Sequence, residues 1–370
     1  MPLRLNFSAS ALLATLFFGL ITSAMQLRAQ STAMPERNVA RLSLSPVILV
    51  ERPDAVQDYT VDAPQVRQMV NRALMTLTSA PDIGTAWKRL GITPQDIVGI
   101  KITTAGGPAL CTHRALVRAI CEGLQAAGLP ISQVIIWDKF QDKMAAAGYV
   151  LRAANQQQAA IASIVPSNDY DPETYYRNGV VGNLIWGDYQ FNPPMGFNDS
   201  DATGIDSEQT LTRSYYTKLV TQTCTKLINV PVLNYDESFG LDGCLSSLAL
   251  GSVDNNRRLL GAPSYGDPAI DEILNRSFIR RKVVVNILDA LVAQCAGGPS
   301  FNPQFCQAFG AIYVGRDPVA IDSLALPRLE RMRQEMEVPS VGNTSSYIRS
   351  AGVLSLGTTD RRRIQFLHVQ

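Results

Sequence analysis

Residues 97–138 constrain the fold more than any other part of the chain. An apolar run at 97–102 (IVGIKI) empties into Thr103, Thr104 and a Gly106-Gly107-Pro108 turn. From Thr112 onward Leu116, Val117, Ile120 and Leu124 recur at helical spacing, Gly128 closes the pattern, and a second apolar run follows at 134–137 (VIIW). Strand, glycine turn, helix and strand form a βαβ unit, so the two strands are expected to lie parallel with a right-handed crossover.

The alternation continues along the chain. Strands are predicted at 46–50, 227–233, 282–288 and 311–314, with a terminal one at 364–369. Pro64 opens a helix whose inner face carries Val66, Met69, Val70, Ala73, Leu74 and Leu77. A last helix begins after Asp317, a natural N-cap, with Pro318 in its first turn, and Pro327 is expected to kink or end it. Residues 167–216 are rich in Asn, Asp, Gly, Pro and Tyr without periodicity, which marks a long irregular insertion or lid over about 140–225. The expected fold class is therefore α/β, a mostly parallel sheet flanked by helices with that insertion.

Composition narrows the function classes. With 33 basic and 32 acidic residues, the chain offers no charge excess for a nucleic-acid partner. The amino-terminal 29 residues stand apart. Arg4 precedes an uncharged apolar run at 11–25, and Leu27-Arg28-Ala29 ends in a small residue suited to cleavage. This reads as a signal peptide over 1–29 and places the mature 30–370 domain outside the cytoplasm, periplasmic or secreted; an uncleaved anchor is the alternative. No other stretch is long and apolar enough to span a membrane, so no membrane span is expected after cleavage.

Cys111, Cys121, Cys224, Cys244, Cys295 and Cys306 include no C-x-x-C pair, and His113 and His368 are the two histidines. Neither an iron–sulfur cluster nor a zinc cage is expected from this set. An oxidising compartment makes a Cys295–Cys306 disulfide the favoured pairing, against six buried thiols.

The candidate chemistry sits where strands end. Lys101, Thr103 and Thr104 end one strand, Asp138 and Lys139 the next, Asn234 and Asp236 follow the third, Asp289 the fourth, and Arg316 and Asp317 the fifth. Parallel neighbours would bring these groups to one edge. The stretch 226–258 carries the strongest signal of this kind, a buried strand opening into polar, glycine-punctuated chain with Asp242, Ser246 and Ser247. Lys101, Asp138, Asp289 and Asp317 are the catalytic candidates. Thr103, Gly106, Gly107, Thr112, His113, Asn234, Asp236 and Arg316 are the ligand-binding ones.

Lys101 beside Gly106, Gly107 and the helix start near Thr112 could hold an anion on converging N–H groups, or the glycines merely turn the chain. His113 at that helix start is a neutral base or a capping histidine. Acids outnumber bases in the expected pocket (Lys101, Asp138, Asn234, Asp236, Asp289, Asp317), which favours a cationic or neutral polar small molecule. Asp199, Asp201, Thr203, Gly204 and Asp206 imitate the start of a calcium loop, but Thr210 stands where its bidentate Glu is required, so a solvated acidic turn competes. No metal is assigned.

Several of these segments, in order, resemble the family called domain of unknown function 362. They are IVGIKITT at 97–104, the Thr112-His113-Arg114 helix start, VIIWDK at 134–139 and LINVPVL at 227–233. GSVDN at 251–255, ILDA at 287–290, Gly297-Gly298-Pro299 and GRDPVAID at 315–322 complete the series. The resemblance spans about 45 to 330 and implies an α/β fold without a settled reaction. Many relatives are exported bacterial proteins, and others carry ferredoxin-type cysteine clusters that this chain lacks. Lys101, Asp138, Asp289, Arg316, Asp317 and Asp322 match the family pattern. Asn234 and Asp236 stand where relatives have Lys and His, and Asp242, Ser246 and Ser247 where they have Thr and a Lys-Asn pair. Two readings follow: an exported enzyme acting on a small polar substrate, or a non-catalytic binding protein whose active site has degenerated.

Overall fold

Side chains alternate across a strand, so each buried strand sorts its residues onto two faces, and the fold follows from what covers each face. The structure is a computed structural model that describes residues 44–177 and 213–369. Its centre is an eight-stranded sheet. In chain order the strands are β1 Ser45–Glu51, β2 Val98–Ile102, β3 Val134–Asp138, β4 Ala160–Ser163, β5 Lys226–Val230, β6 Val283–Gln294, β7 Cys306–Gly315 and β8 Ile364–Val369. Across the sheet the order is β8-β1-β7-β6-β5-β2-β3-β4. The run β6-β5-β2-β3-β4 is parallel throughout. β1 and β8 are parallel to each other, while β7 runs antiparallel to both of its neighbours.

Helices α1 (Ala63–Thr78) and α2 (Arg114–Ala126) cover one face; α3 (Cys244–Ser252) and α4 (Pro318–Glu335) serve the other. In β2, Val98, Ile100 and Ile102 join the core beneath α1 and α2, with Leu74, Leu116 and Ile120. Gly99 and Lys101 are left to the α3 face, where their neighbours Trp137 and Leu227 belong to the second core with Leu245, Leu248 and Ile321. The βαβ unit read from 97–138 is present, with β2 and β3 paired Val98↔Val134 through Lys101↔Trp137.

The structure departs from the sequence reading at several points. β6 does not stop at Asp289 but continues to Gln294 across a register shift between Ala290 and Val292. α4 runs through Pro327 to Glu335, because its buried residues Ile321, Leu324, Ala325, Leu329 and Met332 hold both sides of the proline against the core. The insertion is not uniformly irregular: Ala160–Ser163 is an edge strand of the central sheet, and Tyr170–Arg177 pairs with Arg213–Thr217 in a separate ribbon.

Cys295 and Cys306 are free thiols, as are the other four cysteines. Gln294 is the partner of Cys306 across β6 and β7, so Cys306 shares the face of Gln294 and Cys295 points the other way. Cys306 Sγ contacts Gln294 Oε1 at 3.1 Å, and Cys295 Sγ contacts Met336 Sδ at 3.4 Å. The predicted leader at 1–29 and the calcium-like stretch at 199–210 lie outside the described residues. Among the described residues no helix is long and apolar enough to cross a membrane.

Candidate functional site

Lys101 is a charged residue in the middle of a buried sheet, and the site is built around what makes that tolerable. Its stem lies against α3 at Gly251, where a Cβ would overlap Lys101 Cε. Glycine at that point of the helix is what allows the close approach. The ammonium donates to Ile102 O at 2.6 Å and Ser247 Oγ at 3.2 Å, and it pairs with Asp138 Oδ1 at 3.2 Å. Three donors meet three acceptors, as a buried ammonium requires. Asp138, at the end of β3, also accepts from Thr104 N (2.9 Å), Thr104 Oγ1 (2.6 Å) and Lys139 N (2.8 Å). Ser247 in turn lies 2.8 Å from Thr103 Oγ1.

α3 is held over this floor by two polar anchors. Asn229 Nδ2 donates to Cys244 O at 2.8 Å and to Asn286 Oδ1 at 3.0 Å. Asp322, reaching from α4, accepts from Cys244 N at 2.7 Å and Leu245 N at 2.9 Å, which places a carboxyl at the helix start. Burial outweighs those donors and pushes Asp322 up to about 7.

A short hairpin, Asn234–Asp236 paired with Gly240–Asp242, forms the next wall. Asn234 lies opposite Asp242, so both share a face with Asp236. Burial, reinforced by the charge of Asp236 and opposed by Lys101, pushes Asp242 up to about 7. Ser246 Oγ donates to Asp242 Oδ1 at 3.1 Å. Asp236 is also raised by burial, although Ser238 N donates to it at 2.8 Å. Opposite, Lys139 Nζ donates to Val253 O at 2.9 Å, and burial pulls its ammonium below the usual lysine range.

These elements enclose a cavity of about 590 Å³ at the carboxyl edge of β2 and β3. Of the residues expected there, Lys101, Thr103, Asp138 and Asp236 line it. Asn234 sits at its border, donating from Nδ2 to the lining residue Pro299 at 3.1 Å. Asp242, Ser246 and Ser247, marked in the sequence as departures from the family pattern, are part of the wall. Four carboxylates (Asp138, Asp236, Glu237, Asp242) meet four cations (Lys101, Lys139, Lys143, Arg257) in the lining. The expected acidic excess is absent, because Asp289 and Asp317 lie elsewhere and the segments after β3 and α3 bring in cations.

Asp289 belongs to the opposite face. Ile287, two residues before it, is in the core under α2, whereas Leu288 and Ala290 face α3. Asp289 accepts from His113 N at 2.8 Å, His113 Nδ1 at 2.9 Å and Leu291 N at 3.1 Å. Burial opposes protonation of His113, but the charge and hydrogen bond of Asp289 outweigh it and raise the imidazole above its ordinary value. The protein thus brings a carboxylate of its own to this helix start.

Gly106, Gly107 and Thr112 also stay outside the lining. Thr112 closes the loop by donating to Val230 O at 2.6 Å and accepting from Thr103 N at 2.9 Å. Asp317 and Arg316 lie at the other edge of the sheet, because β7 runs antiparallel to β6. Asp317 caps α4 through Ala320 N at 2.9 Å and accepts from Ser45 Oγ at 2.8 Å; Arg316 donates to Arg89 O at 3.0 Å.

Phe140, Lys143 and Arg257 line the cavity without having been singled out from sequence. Phe140 had a usable signal, an aromatic directly after the polar end of a strand. Arg257 had none, since nothing local distinguishes it from a solvated charge.

Comparison with known proteins agrees with the resemblance seen in the sequence. The model of the family described as domain of unknown function (DUF362) matches residues 98–327, which include every element that lines the cavity. No curated protein matches the chain. A crystal structure of a Thermotoga maritima protein, a structural-genomics target, is similar with a TM-score of 0.38 and 10% identity. That likeness covers 76% of this chain and 60% of the other, so the chain spans about three fifths of that protein's length.

Proposed function

The chain belongs to the family of the domain of unknown function (DUF362), and on that premise we propose that it is an exported enzyme acting on a small polar molecule held at the carboxyl edge of the sheet. One observation carries this reading. Lys101, Asp138, Asp242 and the hydroxyls of Thr103 and Ser247 converge on one cavity of about 590 Å³, a volume suited to a small molecule. Asp242, pushed up to about 7 by burial, can give or take a proton near neutral pH. The Lys101 side chain lies against the Ser247 hydroxyl, so through Ser247 it can support a developing oxyanion in the cavity.

A binding protein without turnover is the second reading. It is favoured by the engagement of Lys101 with Ile102 O, Ser247 and Asp138, an arrangement that is structurally complete without substrate. Mass spectrometry of the gently purified protein identifies whatever it retains. Incubation of that compound with fresh protein is expected to yield product, with Asp242→Asn slowing turnover about 100-fold or more while leaving the compound bound. A compound that is retained but never altered leaves the binding reading in place. Export rests on the leader at 1–29, and amino-terminal sequencing of the mature protein is expected to begin near Gln30. A full-length product kept in the cytoplasm would overturn that part.

A further inference from the structure

Phe140 is 41% exposed, and among the described residues Phe366 is the other aromatic side chain exposed to a similar degree. Phe366 lies on the edge strand β8, whereas Phe140 lines the cavity, directly after the Asp138-Lys139 pair. The Lys139 ammonium sits over the Phe140 ring, 5.5 Å from its centroid, so the ring is oriented by a cation–π contact. A half-exposed aromatic that lines a polar cavity offers a flat apolar face against which the C–H surface of a ligand can pack.

The rest of the lining restricts what that ligand is. Its charged groups balance, four against four, so a strongly charged ligand gains nothing overall. The floor mixes acceptors, Asp236 and Asp242, with hydroxyls, Thr103 and Ser247, that both donate and accept. An aromatic ring would satisfy Phe140 but leave this floor short of partners. A hydroxyl-bearing ring satisfies both, since each hydroxyl donates and accepts at the edge while the C–H face lies flat on an aromatic.

Resting on the cavity reading above, we infer that the ligand is a neutral polyhydroxylated ring, a cyclic sugar or cyclitol, stacked on Phe140 with its hydroxyls toward Asp236, Asp242 and Ser247. Phe140 is then a specificity-determining residue.

Calorimetric titration of the intact mature protein with methyl β-D-glucopyranoside, myo-inositol, benzyl alcohol and inorganic phosphate tests this. At least one of the two cyclic polyols is expected to bind, with benzyl alcohol and phosphate much weaker. Phe140→Ala is expected to weaken that binding about tenfold, and Phe140→Trp to retain it. Because Phe140 is exposed, neither variant endangers the fold. Binding of benzyl alcohol or phosphate alone, or equal polyol affinity in Phe140→Ala and the parent protein, would overturn the inference. If a retained compound is not a polyol yet is lost in Lys101→Ala, the polyol assignment falls while the cavity reading stands. A polyol that binds Lys101→Ala and Phe140→Ala as well as the parent removes both.

Discussion

Asp289 brings a buried carboxylate of the protein's own to His113 at the start of α2. Its two oxygens are engaged by His113 N, His113 Nδ1 and Leu291 N, and its side chain has no exposure. Nε2 of His113 is buried and has no hydrogen-bond partner among the described residues, so the imidazole is committed to Asp289 rather than poised for transfer into the cavity. His113→Ala leaves a buried carboxylate without its ring partner and is expected to destabilise the protein by about 2–3 kcal/mol. Urea denaturation measures that loss. Ligand affinity should not change, because the pair sits on the α2 face of the sheet. A variant as stable as the parent, or one that loses ligand, would contradict the structural role.

At the scale of an element, α3 is the helix on which the site depends. It is buried along its whole length, fixed at its start by Asp322 and Asn229, and indented at Gly251 to admit Lys101. Helix propensity alone predicts that Gly251→Ala would stabilise the protein by about 1 kcal/mol. The close approach of Lys101 predicts the reverse, a net loss of about 1–3 kcal/mol from overpacking, because its ammonium is tied to Ile102 O, Ser247 and Asp138. Thermal unfolding decides between the two signs. The displaced ammonium would also lose Ser247 and Asp138, so ligand binding is expected to fall with stability. A stabilised Gly251→Ala protein with intact binding would show that Lys101 does not lean on α3.

Over the whole molecule, several carboxyls are buried more deeply than their hydrogen bonds compensate. Burial pushes Asp242 and Asp322 up to about 7 and Asp271 up to about 8, from an ordinary value of 3.8. Both oxygens of Asp271 lack a hydrogen-bond partner among the described residues. Folded-state values above the unfolded ones mean that the native protein binds more protons between about pH 4 and pH 8. Stability must then fall as pH rises through that window. Asp96 and Asp171, held low by their hydrogen bonds despite burial, oppose this only towards and below pH 4. The urea midpoint is expected to be higher at pH 5 than at pH 8, and a midpoint that climbs steadily across that range would refute the assignment.

Local pattern determined what each segment is. The alternation of VGIKI, the helical recurrence of Leu116, Val117, Ile120 and Leu124, and the capping Asp317 follow from side-chain period and hydrogen bonding within a few residues, and they carried over into β2, α2 and α4. Lys101, Thr103, Asp138 and Asp236 were legible as residues of the cavity lining for the same reason, each marking the polar end of a strand or the turn beyond it. Strand direction and strand face were decided only by tertiary structure. The antiparallel course of β7 carried Asp317 to the far edge, and the extension of β6 beyond Asp289 left that carboxylate under α2. Neither is written in local period, because pairing partners lie tens of residues apart and a strand's sequence is compatible with either direction. The balanced charge of the cavity likewise comes from Lys143, Glu237 and Arg257, three residues that share no local motif and meet only because the sheet brings their loops together.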